Sequence, residues 1–258
     1  MFRSFQTATQ CVSLGAQVFR VFFTPPFSWV RETVVECSKG FRTAFFPVML
    51  ASTVYVLAFG SVLFGKVIYA LGAPDRLAPG FYIGILRELG TWLTFMVLAA
   101  SLGASLAGDL GARKIREELD ALDVLGVDKI RSLIVPRVIA ITIVGTVLAL
   151  VSLLVNMFFA IIVNSVTVHQ TIGSQISGVL LDMNPYDTLA SLGKHLIIAF
   201  FIGVVACQKG LSARGGAEGV GRAVSETVLI TFFGLWLINT IWNTGYLTLF
   251  PDVIDIRG

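Results

Sequence analysis

Residues 109–136 read DLGARKIREELDALDVLGVDKIRSLIVP, and this stretch decides how the rest of the chain is read. Eleven charged residues fall in it (Asp109, Arg113, Lys114, Arg116, Glu117, Glu118, Asp120, Asp123, Asp128, Lys129, Arg131), out of 19 Lys and Arg and 16 Asp and Glu in all. Uncharged runs long enough to cross a membrane flank it, so a water-exposed, partly helical element sits between two buried ones. Ile115, Leu119, Leu122 and Leu125 are spaced four, three and three apart. That spacing predicts one apolar helical face, with Arg116, Glu117, Asp120 and Asp123 pointing elsewhere. Gly126 is placed to stop the helix, and Asp128 to cap a second short helix running to Pro136. Composition leaves two readings open: a solvated surface helix, or a helix that seats its apolar face in a groove of a soluble partner.

The rest of the chain sets the context. It has 258 residues, is 55% hydrophobic and 14% charged, and has a mean hydropathy of +0.83. Soluble domains carry about a quarter charged residues, so this reads as an all-α integral membrane protein with a single membrane domain, 1–258. A net charge of +3 gives no reason to expect nucleic acid. Cys11, Cys37 and Cys207 match no disulfide framework or metal spacing. Arg20 and the Pro25–Pro26 pair interrupt any signal-peptide core.

Five spans are predicted, at 43–65, 89–108, 138–163, 188–208 and 227–251, against a need of ~20 residues per crossing. Residues 1–42 form an N-terminal interfacial segment. Within it Val30, Val34, Cys37, Phe41 and Phe45 recur at helical spacing, which predicts a helix along the membrane surface with Trp29 near the headgroups. In the second span Ala99/Gly103, Ala104/Gly108 and Ala107/Gly111 are small-xxx-small pairs. Gly103, Ala104, Ala107 and Gly108 are therefore expected at a close helix contact. After Asn164 the long uncharged run turns polar and predicts an amphipathic segment outside the third span. Lys194 and His195 are expected at the boundary of the fourth span. Lys and Arg concentrate in the N-terminal segment and in the loops at 109–137 and 209–226. The positive-inside rule then puts the N-terminus in the cytoplasm and the C-terminus outside.

Chemical motifs are sparse. Residues 60–66, GSVLFGK, fit part of a phosphate-binding loop, but Val67 stands where a Ser or Thr should hold magnesium, and the run lies beside an apolar span. His169 and His195 have no acid or thiol at ligand spacing. No nucleophile-elbow or triad signature appears. The middles of the predicted spans carry no charge, so ion-coupled transport lacks its usual equipment. The pair Arg87–Glu88 reads either as a helix anchor or as part of a polar mouth that meets a lipid headgroup.

Residues 87–90 (RELG), 103–111 (GASLAGDLG) and 115–140 (IREELDALDVLGVDKIRSLIVPRVIA) resemble the MlaE/YrbE permease family. Residues 210–228 (GLSARGGAEGVGRAVSETV) resemble its actinobacterial YrbE branch, A-type. The resemblance covers residues 80–230 and implies a membrane subunit of an ABC lipid transporter in the bacterial plasma membrane. It implies a second permease subunit (a B-type YrbE in a heterodimer), a cytoplasmic ATPase dimer that alone holds ATP and Mg, and MCE proteins outside. This chain would bind no cofactor and catalyse nothing. Glu117, Glu118, Asp120, Leu122, Val124, Leu125 and Gly126 fall on the family's coupling-helix motif, with Ile115 and Leu119 on the same apolar face. Arg87 and Glu88 fall on its RELG motif near the lipid cavity. Val54, Leu57, Phe59, Trp236 and Leu237 are expected as apolar wall residues. The family commonly has arginine where this chain has Ser101. The competing expectation is a non-transporting scaffold for an extracytoplasmic MCE assembly.

Overall fold

The computed structural model describes residues 2–58, 63, 65–73 and 76–250, with side chains from Thr7 onward. Phe59, Pro74, Pro251 and most of the GSVLFGK run lie outside the described residues. Among those described the elements are all helical: α1 (Phe2–Phe22), α2 (Val30–Tyr55), α3 (Gly65–Ala70), α4 (Leu77–Gly84), α5 (Gly90–Leu98), α6 (Ala104–Ile115), α7 (Glu118–Val124), α8 (Val135–Thr167), α9 (Ile172–Asp182), α10 (Pro185–Leu211) and α11 (Gly216–Leu249). Three wide π-type turns, Ile85–Leu89, Ala99–Gly103 and Ile130–Ile134, join α4 to α5, join α5 to α6 and lead into α8.

Among the described residues five continuous helical runs are long and apolar enough to cross a membrane: Val30–Ala58, Leu77–Ile115, Ile130–Thr167, Pro185–Leu211 and Gly216–Leu249. This is a multi-pass α-helical membrane protein. Each run is longer than the uncharged window that announced it, because charged residues at the ends continue the helix. One expectation changes as a result. The segment from Val30 to Phe45 is not a separate surface helix, since α2 runs through it unbroken to Tyr55. Trp29 is buried within the chain and stacks on Phe22, with ring centroids 5.4 Å apart.

The chain forms two compact units, and every span contributes a stretch to each. The first comprises Met1–Ala44, Leu98–Gly145 and Leu196–Leu235. Its core gathers Leu14 and Val18 of α1, Leu110 of α6, Ile134, Val135 and Val138 at the start of α8, and Val204 and Cys207 of α10. Cys11, Leu14, Val18 and Val21 recur at three and four residues, so one face of α1 packs inward while Val12 and Phe19 remain exposed. The thiol of Cys11 is pushed above its ordinary range by this burial, with Lys209 opposing.

The second unit comprises Phe45–Val97, Thr146–His195 and Trp236–Gly258. Its core joins Val56, Leu77, Phe81, Tyr82, Ile85, Leu86, Met157 and Val168. The polar run after Asn164 becomes α9, capped where the Thr171 hydroxyl accepts from the Ser174 N–H.

Candidate functional site

Two places gather chemistry, one in each unit. The first is the charged loop. Its helix is not continuous. α6 ends at Ile115, Glu117 adopts a left-handed backbone (φ 62°), and α7 begins at Glu118. A left-handed non-glycine residue costs about 1–2 kcal/mol. Ion pairs at non-helical spacing offset it. Lys114 Nζ donates to Asp120 Oδ1 at 2.7 Å, and Arg116 Nε to Glu118 Oε1 at 2.8 Å. A straight helix could bring neither pair together, because i,i+6 and i,i+2 partners lie on different faces. The predicted stripe is therefore divided. Leu119 is buried, Leu122 half-buried, and Ile115 stands on the preceding helix. Val124 (88% exposed) and Leu125 (74% exposed) project from the tip.

Gly126 (φ 70°) ends α7. The Val127 N–H reaches the Leu122 carbonyl at 3.0 Å and the Gly126 N–H the Asp123 carbonyl at 3.1 Å, a Schellman closure. Asp128 Oδ1 then accepts from the N–H groups of Ile130 (3.0 Å) and Arg131 (3.2 Å) and starts the next turn. Glu117, Glu118, Asp120 and Asp123 surround the two apolar side chains of the tip, with Glu118, Asp120 and Asp123 paired to Arg116, Lys114 and Lys129.

The hydrogen bond from Lys114 holds the Asp120 carboxyl below its ordinary range. A depressed folded value means this contribution is present above the unfolded value of about 3.9 and is lost as pH falls through the folded one. Lys114→Met is expected to raise the Asp120 titration toward the ordinary carboxylate range, read by carbon NMR of the carboxyl. An unchanged titration would mean that the ion pair does not form.

Small residues of the same unit carry the close contacts around α6. A Cβ on Gly210 of α10 would lie 2.6 Å from Leu110 Cβ and 3.0 Å from the Ala107 carbonyl. A Cβ on Gly103 would meet Ile202 at 3.3 Å, and one on Gly108 would meet Val224 at 3.5 Å. The face holding Gly103, Ala107 and Gly108 thus meets α10 and α11, while Ala104 is only half-buried.

The second place is a buried ionic cluster in the other unit. Arg87 Nη2 donates to Asp187 Oδ2 at 2.7 Å. Lys194 Nζ donates to the Arg87 carbonyl and to Asn243 Oδ1, the latter at 3.1 Å. Asn243 Nδ2 donates to the same carbonyl at 3.1 Å and to Glu88 Oε1. Asn239 Nδ2 donates to Glu88 Oε2 at 2.6 Å. Ser191 Oγ donates to the Leu86 carbonyl at 3.3 Å, and Thr91 Oγ1 lies 3.0 Å from His195 Nε2. The backbone makes this possible. In the wide turn Ile85–Leu89 the Gly90 N–H bonds to Ile85, five residues back, which turns neighbouring carbonyls toward side-chain donors.

Lys194 (1% exposed) and His195 are buried within the chain, inside the helical run Pro185–Leu211. The physical reason is neutrality: Arg87 and Lys194 meet Glu88 and Asp187, and the remaining valences go to carbonyls and amides. Gly90 is required at this turn, because a Cβ there would lie 2.6 Å from the Ile85 carbonyl. Gly90→Ala is expected to destabilise the protein by about 1–3 kcal/mol through overpacking, measured as a lowered melting temperature in detergent. An unshifted melt would show that the turn relaxes freely.

Arg87 and Glu88 are thus brought together with residues the sequence reading left aside. Asn239 and Asn243 are four apart in an apolar span; Asp187, Ser191, Lys194 and His195 follow at four, three and one. That spacing was the available signal. Of the expected wall residues, Trp236 packs on Trp92 with ring centroids 3.9 Å apart, Leu57 is half-buried, and Val54 and Leu237 are exposed. Among the described residues no group of three or more His, Cys, Asp or Glu is placed to hold a metal ion.

Fold and sites together define a multi-pass helical membrane protein with a densely charged, apolar-tipped loop and a largely buried, charge-balanced helix junction. The chain belongs to the MlaE permease family, whose model, Permease MlaE, matches residues 33–244. It is 31% identical over 170 residues to a probable ABC transporter permease protein of Synechocystis, covering 65% of this chain and 64% of that one. It is 28% identical over 198 residues to the Arabidopsis thaliana protein TRIGALACTOSYLDIACYLGLYCEROL 1, chloroplastic, covering 77% of this chain and 56% of that one. A probable ABC transporter permease protein of Rickettsia bellii is 29% identical over 157 residues, covering 61% of each. The chain thus spans between 56% and 64% of the length of these relatives.

Proposed function

We propose that this chain is the permease subunit of an ATP-driven lipid transporter, and that its charged loop docks the ATPase. The observation that carries the reading is the tip of α7. Val124 and Leu125 stand exposed on an acidic, ion-paired loop of a permease-family protein. Apolar anchors ringed by acids suit a groove bordered by basic residues on a soluble ATPase. The relatives named as ABC transporter permeases support the pairing with an ATPase, which would hold the ATP and Mg. The relative named for a galactosylated diacylglycerol supports a lipid substrate. The basic loops orient the N-terminus and the 109–137 loop toward the cytoplasm of a bacterial plasma membrane and the C-terminus outward. A second permease, B-type in a heterodimer, and extracytoplasmic MCE proteins complete the assembly. ATP-driven closure of the ATPases pushes on α7. The joined helices then open or collapse a lipid cavity bordered by Arg87, Glu88, Val54, Leu57, Trp236 and Leu237.

The test is purification of the tagged chain from its own membranes in mild detergent, with mass spectrometry of proteins and extracted lipids. Recovery of a P-loop ATPase, a second permease, MCE proteins and bound lipid is expected. MCE proteins without an ATPase, even with nucleotide present, would overturn the transporter reading in favour of a scaffold.

A further inference from the structure

We infer that Arg137 is a positioning residue that clasps both feet of the 109–137 loop and ties them, through a breakable contact, to the first span. Arg137 lies near the start of α8, and its side chain is 9% exposed. Its Nη2 donates to Asp109 Oδ2 of α6 at 2.8 Å. Asp109 and Arg137 are the two ends of the loop, so this one ion pair closes the loop at its base. Its Nε lies 3.8 Å from Glu36 Oε1 of α2. All three residues belong to the first unit.

The two contacts differ in kind. The Asp109 contact is a short, charge-assisted hydrogen bond. The Glu36 contact is longer than a hydrogen bond, and Glu36 also lies 3.5 Å from Lys39 Nζ. Arg137 Nη1 is buried without a partner among the described residues. The guanidinium therefore holds the loop with Nη2, and its Nε, 3.8 Å from Glu36 Oε1, is a donor toward which Glu36 can close or from which it can part. Helices held together for stability alone are served as well by an apolar side chain of similar volume, so a buried guanidinium here signals a specified, switchable geometry. The clasp makes the loop move as one piece with α6 and α8 and passes part of that motion to α2. This rests on the reading above that a partner pushes on the loop.

The experiment has two arms. In the first, the chain alone, its native cysteines replaced by serine, carries spin labels at Arg42→Cys and Val124→Cys. Pulsed electron spin resonance reads their distance distribution. Arg137→Met is expected to broaden it at least two-fold, and the exchange Asp109→Arg with Arg137→Asp to narrow it again. An unchanged width in Arg137→Met would overturn the clasp, whether or not any ATPase binds.

In the second arm, the complex purified with its ATPase is reconstituted in proteoliposomes with NBD-labelled phosphatidylethanolamine as probe. Glu36→Gln leaves the Asp109 contact intact and removes the charged link to α2, together with the exposed pair to Lys39 within α2. It is expected to keep ATP turnover within two-fold while ATP-dependent movement of the probe falls at least ten-fold. Undiminished movement, or a loss of melting temperature that Arg137→Leu restores together with movement, would reduce Arg137 to a structural residue. Failure of wild type to capture an ATPase would sink the proposed function and leave the first arm standing.

Discussion

Replacing Val124 and Leu125 together with aspartate is expected to abolish capture of the partner ATPase while leaving the permease folded. Both side chains stand at the tip of α7, and neither belongs to the core of its unit. Burial of a Val or Leu side chain in a partner groove is worth about 1.5–3 kcal/mol, so losing both removes roughly 3–6 kcal/mol. At about 1.4 kcal/mol per factor of ten, affinity should fall by roughly two to four orders of magnitude. Two new carboxylates on an already acidic tip would strain docking further. The measurement is ATPase retention on the immobilised, detergent-solubilised chain, alongside its melting temperature. Retention at the wild-type level would show that the tip does not dock. Leu122→Arg should also abolish docking, but Leu122 is half-buried and the same change disturbs the loop.

The second large effect concerns the buried cluster. Glu88→Leu is expected to destabilise the protein by about 3–5 kcal/mol, the usual cost of removing one partner from a buried ionic group. The change strands the amides of Asn239 and Asn243 and leaves the Arg87 and Lys194 cations with one acid, Asp187, between them. Glu88→Gln keeps the shape and one acceptor and should cost less. Adding Lys194→Met to Glu88→Leu should recover part of the loss, because the two residues act in one network and their effects are not additive. Thermal unfolding in detergent reads all three variants. Additive losses, or an unmoved melt in Glu88→Leu, would mean that water solvates the cluster.

Much of the fold was legible from residue order. Five apolar runs separated by charged or polar connections give five spans, since a bilayer requires about 20 apolar residues per crossing. Gly126 and Asp128 marked the end of α7 and the next start through local backbone chemistry. The ends of the spans were less legible, because a helix continues into charged sequence when neighbours satisfy the charges, as Arg137 does with Asp109. The break at Glu117 had no local signature. Apolar spacing indicated one helix, and ion pairs between residues two and six apart decided otherwise.

The sequence by itself determined that this is a multi-pass helical membrane protein of a permease family with one densely charged loop, because hydropathy and local motifs depend on residues adjacent in the chain. Only the tertiary structure decided that Arg87, Glu88 and Asn243, half-buried, join the buried Asp187, Lys194 and Asn239 in one junction, and that Arg137 ties the loop's two ends. Such groupings join residues up to 156 positions apart. Their burial is tolerated only because opposite charges and turned-out carbonyls meet in space, a condition that spacing along the chain does not express.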